Sequence, residues 1–330
     1  MLKGIYILDN KLFDFVYGSS QREMVHNYLD IKDVAVSPEF VKQNPDILSN
    51  VDVILGSWGM PVLDEELLNN SPRLKAVFYA AGSTRYFTTD LFWDREILLT
   101  SAWVANAIPV AEYVVSQIVF SLKCGWSYVR QMRKMKQRPL DIKSPGVYKS
   151  SVGLISFGMI PRYVATLLNS YDVDIFVYDP YIDPALPGKY GAQTCELEDI
   201  FKYSDVVCLH MPANEETRGV ITAEYFRQMR PYSTFINTAR GSIVNEQDMI
   251  EVLNERKDIT AILDVTDPEP PRGESPLFDM DNVVLTPHIS GSMRYEMGRL
   301  GQYMVEELER YIAGEPLKWK LNSEKVALLA

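Results

Sequence analysis

Short apolar runs rich in valine and isoleucine alternate with longer segments whose apolar residues recur every three or four positions, from one end of the chain to the other. The short runs read as buried strands and the longer ones as amphipathic helices, so the pattern predicts strand-helix-strand units, parallel sheets and an α/β architecture. In the first third the expected strands are residues 4–8, 51–55, 74–79 and 97–101, with helical segments at 19–29 and 63–69. Residues 110–123 are too apolar for a surface helix and predict a buried one, with a domain boundary near residue 104. After a Pro and Gly turn at residues 144–146, six further strands are expected at 152–156, 173–178, 206–210, 234–237, 259–264 and 283–286. With their helices these make a doubly wound nucleotide-binding sheet. A long helical pattern over 293–313 ends at Gly314.

The 330 residues, 47% hydrophobic and 23% charged, suit a soluble globular chain. At roughly 100–200 residues per domain this length predicts two domains, with a cleft available between them. The first nine residues form too brief an apolar alternation for a signal peptide. No apolar run approaches the roughly 20 residues needed to cross a bilayer. A cytoplasmic location and no membrane partner are therefore expected. Cys124, Cys195 and Cys208 are scattered and odd in number, which suggests neither a disulfide framework nor a metal site. A formal charge of −11 argues against nucleic acid as a partner, because phosphate-backbone binding runs on clustered Lys and Arg. One basic stretch, residues 123–138 with Arg130, Arg133, Lys134, Lys136 and Arg138, reads as a solvated helix face or subunit-contact arm ahead of an anion site.

The turn after the first strand of the second series runs Ser156-Phe157-Gly158-Met159-Ile160-Pro161 and enters a helix. It is a depleted form of the dinucleotide fingerprint, in which three glycines allow a tight turn, close approach of pyrophosphate to backbone and helix-strand contact. Only the middle glycine survives, as Gly158. Pro161 is tolerated because the first turn of a helix needs no backbone donor, and the helix N-terminal amides remain available to a phosphate. By itself the turn reads equally as an ordinary strand-helix connection. The next strand ends at Asp179, about 20 residues on, where an acid accepts hydrogen bonds from the adenosine ribose and repels a 2′-phosphate. NAD is thus expected over NADP.

Hydride chemistry on a hydroxy acid needs a cation for the carboxylate, a base for the hydroxyl proton and a carboxylate to steady the base. Arg240 follows one expected strand, where a guanidinium can grip a carboxylate through two parallel hydrogen bonds. Glu269 lies in the proline-rich loop after the next, and His288 after the one following. Imidazole, which titrates near neutrality, suits the acid-base role. A lone arginine or histidine after a strand is more often structural. Three such residues at three successive strand ends are harder to dismiss.

Taken together, the depleted fingerprint, Asp179, His210-Met211-Pro212, the Arg240 loop, the 264–270 loop and the Thr286–Gly291 segment resemble the D-isomer specific 2-hydroxyacid dehydrogenases in order and over nearly the whole chain. The resemblance implies two doubly wound parallel-sheet domains. One is a discontinuous, flavodoxin-like substrate (catalytic) domain of residues 1–103 and 289–330, the other a Rossmann NAD-binding domain of residues 104–288. It implies that Arg240 binds the substrate carboxylate, that His288 exchanges the proton and that Glu269 pairs with His288. Met159, Ile160, Met211, Thr217, Thr238 and Ala239 would line the NAD(H) site, Asp264 would hold the nicotinamide amide, and His210 and Pro212 would flank the same crevice. Ala81, Gly82 and Ser83 would bind the substrate carboxylate, and Trp58 would face a substrate tail, though packing suits it equally. A homodimer formed through the cofactor domain is also implied. Ser156 and Pro161 depart from the family's glycines, which bears on cofactor affinity more than on cofactor identity. A non-catalytic NAD(H)-responsive sensor, or a corepressor-like binding protein, is the competing reading.

Overall fold

The structure, a computed structural model, describes residues 1–137 and 143–328. Arg138, the last residue of the basic stretch, lies outside the described residues. The chain divides into two compact units, Met1–Asn106 with Ser292–Ala330, and Ala107–Gly291. These crossings lie three residues beyond the expected 103/104 and 288/289. The cause is local. Ala102 and Ala105 still pack in the first unit's core, and the Asn106 Oδ1 atom accepts the Ser292 amide at 2.9 Å.

The first unit is built on β1 (Leu2–Ile7), β2 (Leu29–Asp30), β3 (Ala35–Val36), β4 (Val53–Gly56), β5 (Ala76–Tyr79) and β6 (Leu98–Ser101). Its order is β6-β5-β4-β1, with β2 and β3 both beside β1, all parallel. Counting β2 and β3 as one interrupted strand gives the flavodoxin-like order. The tail returns as Lys320–Leu321, antiparallel on β6. The fully buried carboxylate of Glu307 draws it in, accepting the amides of Lys318 and Trp319 at 3.2 and 3.0 Å. The short pieces β2, β3 and Lys320–Leu321 are absent from the sequence reading, since two residues carry no period.

The second unit holds β7 (Ser150–Ile155), β8 (Val173–Tyr178), β9 (Ala192–Thr194), β10 (Val206–Leu209), β11 (Thr234–Asn237), β12 (Thr260–Leu263) and β13 (Val283–Leu285). All pairings are parallel, in the order β13-β12-β11-β10-β7-β8-β9. This is the Rossmann order, with β9 as one outer strand and one further strand, β13, added beyond β12 at the other edge. The order reverses between β7 and β10, so their carboxyl ends bound the crevice where such sheets take ligands. The helix Trp103–Ser121 is, among the described residues, the one long and apolar enough to cross a membrane. Its Val110, Ala111, Val114 and Ile118 are instead buried with Val152, Leu154 and Cys208 of the sheet, which accounts for its composition.

Candidate active site and cofactor site

At the end of β7 the chain turns through Ser156 with φ +73°, the left-handed region that glycine occupies most easily. Gly158 then caps the helix Met159–Leu168 in an extended conformation without a side-chain hydrogen bond, and a β-carbon on it would meet nothing within 4 Å. The first amides of this helix are therefore open to a ligand. Pro161 is buried in the first turn, where its missing N–H costs nothing. Asp179 braces this turn from the next strand. Its Oδ2 accepts the Phe157 amide at 2.7 Å and the Ser156 hydroxyl at 3.2 Å, and its Oδ1 accepts the Tyr181 amide at 2.9 Å. About one of a carboxylate's four acceptor positions remains for a ribose hydroxyl.

Two orphaned polar atoms lie beyond the ends of β10 and β11. His210 Nε2 and Thr238 Oγ1 are buried with no hydrogen-bond partner among the described residues. Buried polar groups are almost always paired, so these two fit a bound polar ligand such as a dinucleotide. Burial pushes the His210 imidazole down to about 3. In the loop after His210, Met211 and Pro212 are partly buried, and the Thr217 hydroxyl donates to the Pro212 carbonyl at 2.7 Å while accepting the Asn214 amide at 2.9 Å. Thr217 thus shapes the loop. Met159 and Ile160 are partly buried beside the open helix end, and Ala239 is buried after β11.

The end of β11 is shaped by Asn237, whose Oδ1 accepts the Ala239 amide at 3.0 Å and whose Nδ2 donates to the Arg240 carbonyl at 3.1 Å. This turn presents Arg240, whose Nη1 donates to the Ala239 carbonyl at 2.6 Å. Burial lowers the affinity of the guanidinium for its proton, and the charge of Glu269 works against that. Glu269 Oε1 lies 2.6 Å from His288 Nδ1. A carboxylate accepts, so Nδ1 carries the hydrogen and Nε2 is left for a ligand. His288 has φ +53°, and its amide donates to the carbonyls of Asp264 and Thr286 at 3.1 and 3.0 Å. The buried Asp264 carboxylate holds the same turn, with Oδ1 accepting the Ile289 amide at 2.8 Å and Oδ2 the Ser290 amide at 2.9 Å.

Arg240, Glu269 and His288 are thus brought together, by a hydrogen bond and by charge. Trp58, Ala81, Gly82 and Ser83 belong to the other unit. There the Ser57 hydroxyl donates to the Ala80 carbonyl at 2.8 Å, and Ser101 donates to the carbonyls of Ala81 and Gly82 at 2.7 and 2.6 Å, so these turns are cross-bonded. Trp58 is partly buried against both cores of that unit. Two residues that shape the second unit's site escaped the sequence reading as such, Asn237 and Gly241. The Asn and Gly flanking Arg240 were the available signal.

Residues 118–290, more than half of the 330, match the model of the D-isomer specific 2-hydroxyacid dehydrogenase, NAD binding domain. The chain is 41% identical over 237 residues to a Bacillus subtilis protein named as a 2-hydroxyacid dehydrogenase, covering 71% of this chain and 62% of that one. It is 26% identical over 260 residues to the D-3-phosphoglycerate dehydrogenase of Archaeoglobus fulgidus, covering 79% of this chain and 49% of that one. The chain spans about half the length of the curated relatives it matches first. Its fold is similar to that of a phosphoglycerate oxidoreductase from Rhizobium etli, with a TM-score of 0.81 at 20% identity over 99% of this chain and 100% of that one. The chain belongs to the D-isomer specific 2-hydroxyacid dehydrogenase family, and residues 118–290 are its NAD binding domain.

Proposed function

We propose that the protein interconverts a small D-2-hydroxy acid and its 2-keto acid, with NAD(H) as the redox partner. The observation that carries this reading is the joining of Glu269 to His288 by a 2.6 Å hydrogen bond and to Arg240 through charge, at the ends of three neighbouring strands. NAD, when bound, supplies the hydride acceptor and NADH the donor. In the oxidising direction His288 Nε2 takes the hydroxyl proton while Nδ1–H stays on Glu269, which offsets the charge gained by the ring. In the reducing direction the same nitrogen returns the proton to the carbonyl oxygen. Arg240 binds the substrate carboxylate through paired hydrogen bonds.

The dinucleotide is assigned to Gly158, Met159 and Ile160 at the open helix end, to Asp179, and to His210, Met211, Pro212, Thr217, Thr238 and Ala239. Asp264 has one acceptor position left for the nicotinamide amide. The unit Met1–Asn106 with Ser292–Ala330 is assigned the substrate role, through Trp58, Ala81, Gly82 and Ser83. A second copy is proposed to cover the apolar groove of about 630 Å³ lined by Val115, Val119, Phe120, Leu167 and Tyr171. Sedimentation as a monomer would remove that last assignment.

The deciding experiment is steady-state oxidation of NADH and NADPH with glyoxylate, hydroxypyruvate, phenylpyruvate, 3-phosphohydroxypyruvate and branched 2-keto acids. Turnover of at least one of these with NADH preferred is expected. Tight NADH binding with no turnover of any keto acid would overturn the enzymatic reading and favour a sensor.

A further inference from the structure

Tyr113 stands on the helix Trp103–Ser121, and its sequence surroundings do not mark it for chemistry. Its hydroxyl lies 3.1 Å from Thr286 Oγ1, which lies 2.6 Å from Asp264 Oδ1. Counting hydrogens settles the direction. The carboxylate only accepts, so the single hydroxyl hydrogen of Thr286 goes to Asp264, and Tyr113 must donate to Thr286. Burial raises the phenol above its ordinary range, helped by the Asp264 charge and opposed by the Thr286 bond, so it keeps the hydrogen it donates.

The far end of this chain of bonds is the turn that carries His288. Asp264 accepts the Ile289 amide at 2.8 Å and the Ser290 amide at 2.9 Å, the two residues after the imidazole. His288 itself sits at φ +53°, a conformation that a side chain other than glycine keeps only when surrounding bonds hold it. A carboxylate free to rotate could not grip both amides at once. The threonine hydroxyl on Oδ1 opposes that rotation, and the tyrosine in turn orients the threonine.

We propose that Tyr113 and Thr286 are positioning residues, which fix the Asp264 carboxylate and through it the direction in which the His288 turn presents the imidazole. The kinetic consequence rests on the dehydrogenase reading above; the structural consequence does not.

The test uses the full chain as Tyr113→Phe, Thr286→Val and Thr286→Ser, with two readouts. The first is hydrogen exchange at the Ile289 and Ser290 amides, followed by NMR. The second is kcat and KM with NADH and whichever keto acid the protein reduces. Exchange at both amides should quicken roughly tenfold in Tyr113→Phe and more in Thr286→Val, with Thr286→Ser close to the parent. The kcat should fall roughly tenfold while KM for the keto acid stays within about twofold, since Arg240 is untouched.

Unchanged exchange in both Tyr113→Phe and Thr286→Val would overturn the proposal. So would faster exchange with unchanged kcat in an active enzyme, and so would failure of Thr286→Ser to restore the parent, which would point to packing of the methyl group. A parent protein inactive on every keto acid would overturn the dehydrogenase reading alone, and the exchange rates would still decide whether this chain of bonds holds the turn.

Discussion

A β-carbon on Gly241 would lie 2.0 Å from the carbonyl carbon of Thr266 and 2.2 Å from its oxygen. The loop that follows Arg240 and the loop that leads to Glu269 therefore meet backbone against backbone, and no rotamer change can make room. Gly241→Ala must part the two loops. A loss of about 3 kcal/mol, the upper end of the overpacking range, is expected in urea unfolding, with turnover lost as Arg240 and Glu269 separate. An alanine variant as stable and active as the parent would remove this account of the site.

Ser156 takes a left-handed φ of +73° and donates to Asp179 at 3.2 Å. Ser156→Ala keeps the strained backbone and loses the bond, so it should destabilise by roughly 1 kcal/mol. Ser156→Gly loses the same bond but relieves a conformational cost of about 1 kcal/mol, and should come out near neutral. The usual order of alanine over glycine is thus reversed at this position. Thermal unfolding in which alanine proves the more stable would count against the strain.

His288→Ala removes the proposed proton exchange and leaves the helix end and Asp179 intact. Turnover should fall by roughly 100-fold to 10,000-fold with NADH affinity nearly unchanged. Glu269→Gln can still accept from Nδ1 but carries no charge, and should fall between the two. Near-normal turnover in the alanine variant would end the assignment of His288.

Acid stability should carry the mark of His210. Burial of its ring nitrogen, rather than the partial exposure of the residue as a whole, holds the folded form down to about 3. The unfolded chain takes up this proton near pH 6.5, so stability is fully present above that pH and is lost as pH falls toward 3. The slope from this group is at most about 1.4 kcal/mol per pH unit. Urea unfolding at pH 7 and pH 5 should show a smaller loss in His210→Asn than in the parent. Equal losses would mean the ring is not buried neutral.

Much of the fold was legible in the chain because strands buried on both faces are continuous apolar runs. Among the described residues, six of the seven strands of the second unit carry apolar runs long enough to stand out, although β8 keeps Asp174 exposed, and β9, three residues with only Ala192 buried, does not. The residues proposed here for hydride chemistry, Arg240, Glu269 and His288, could also be picked out from the chain, each placed after a strand. Tyr113 was not, because its only distinguishing property is the hydroxyl of Thr286, 173 positions away.

What the sequence by itself determined is local: where strands and helices form, that Gly158 opens a helix, and that Arg240, Glu269 and His288 each follow a strand. What only the tertiary structure decided is adjacency. Parallel pairing of β11 with β12 and of β12 with β13 puts the ends of successive strands side by side, about 5 Å apart, and so brings a carboxylate onto an imidazole 19 residues away. That pairing is a property of the whole sheet, whose register depends on every strand at once, and no single stretch of chain contains it.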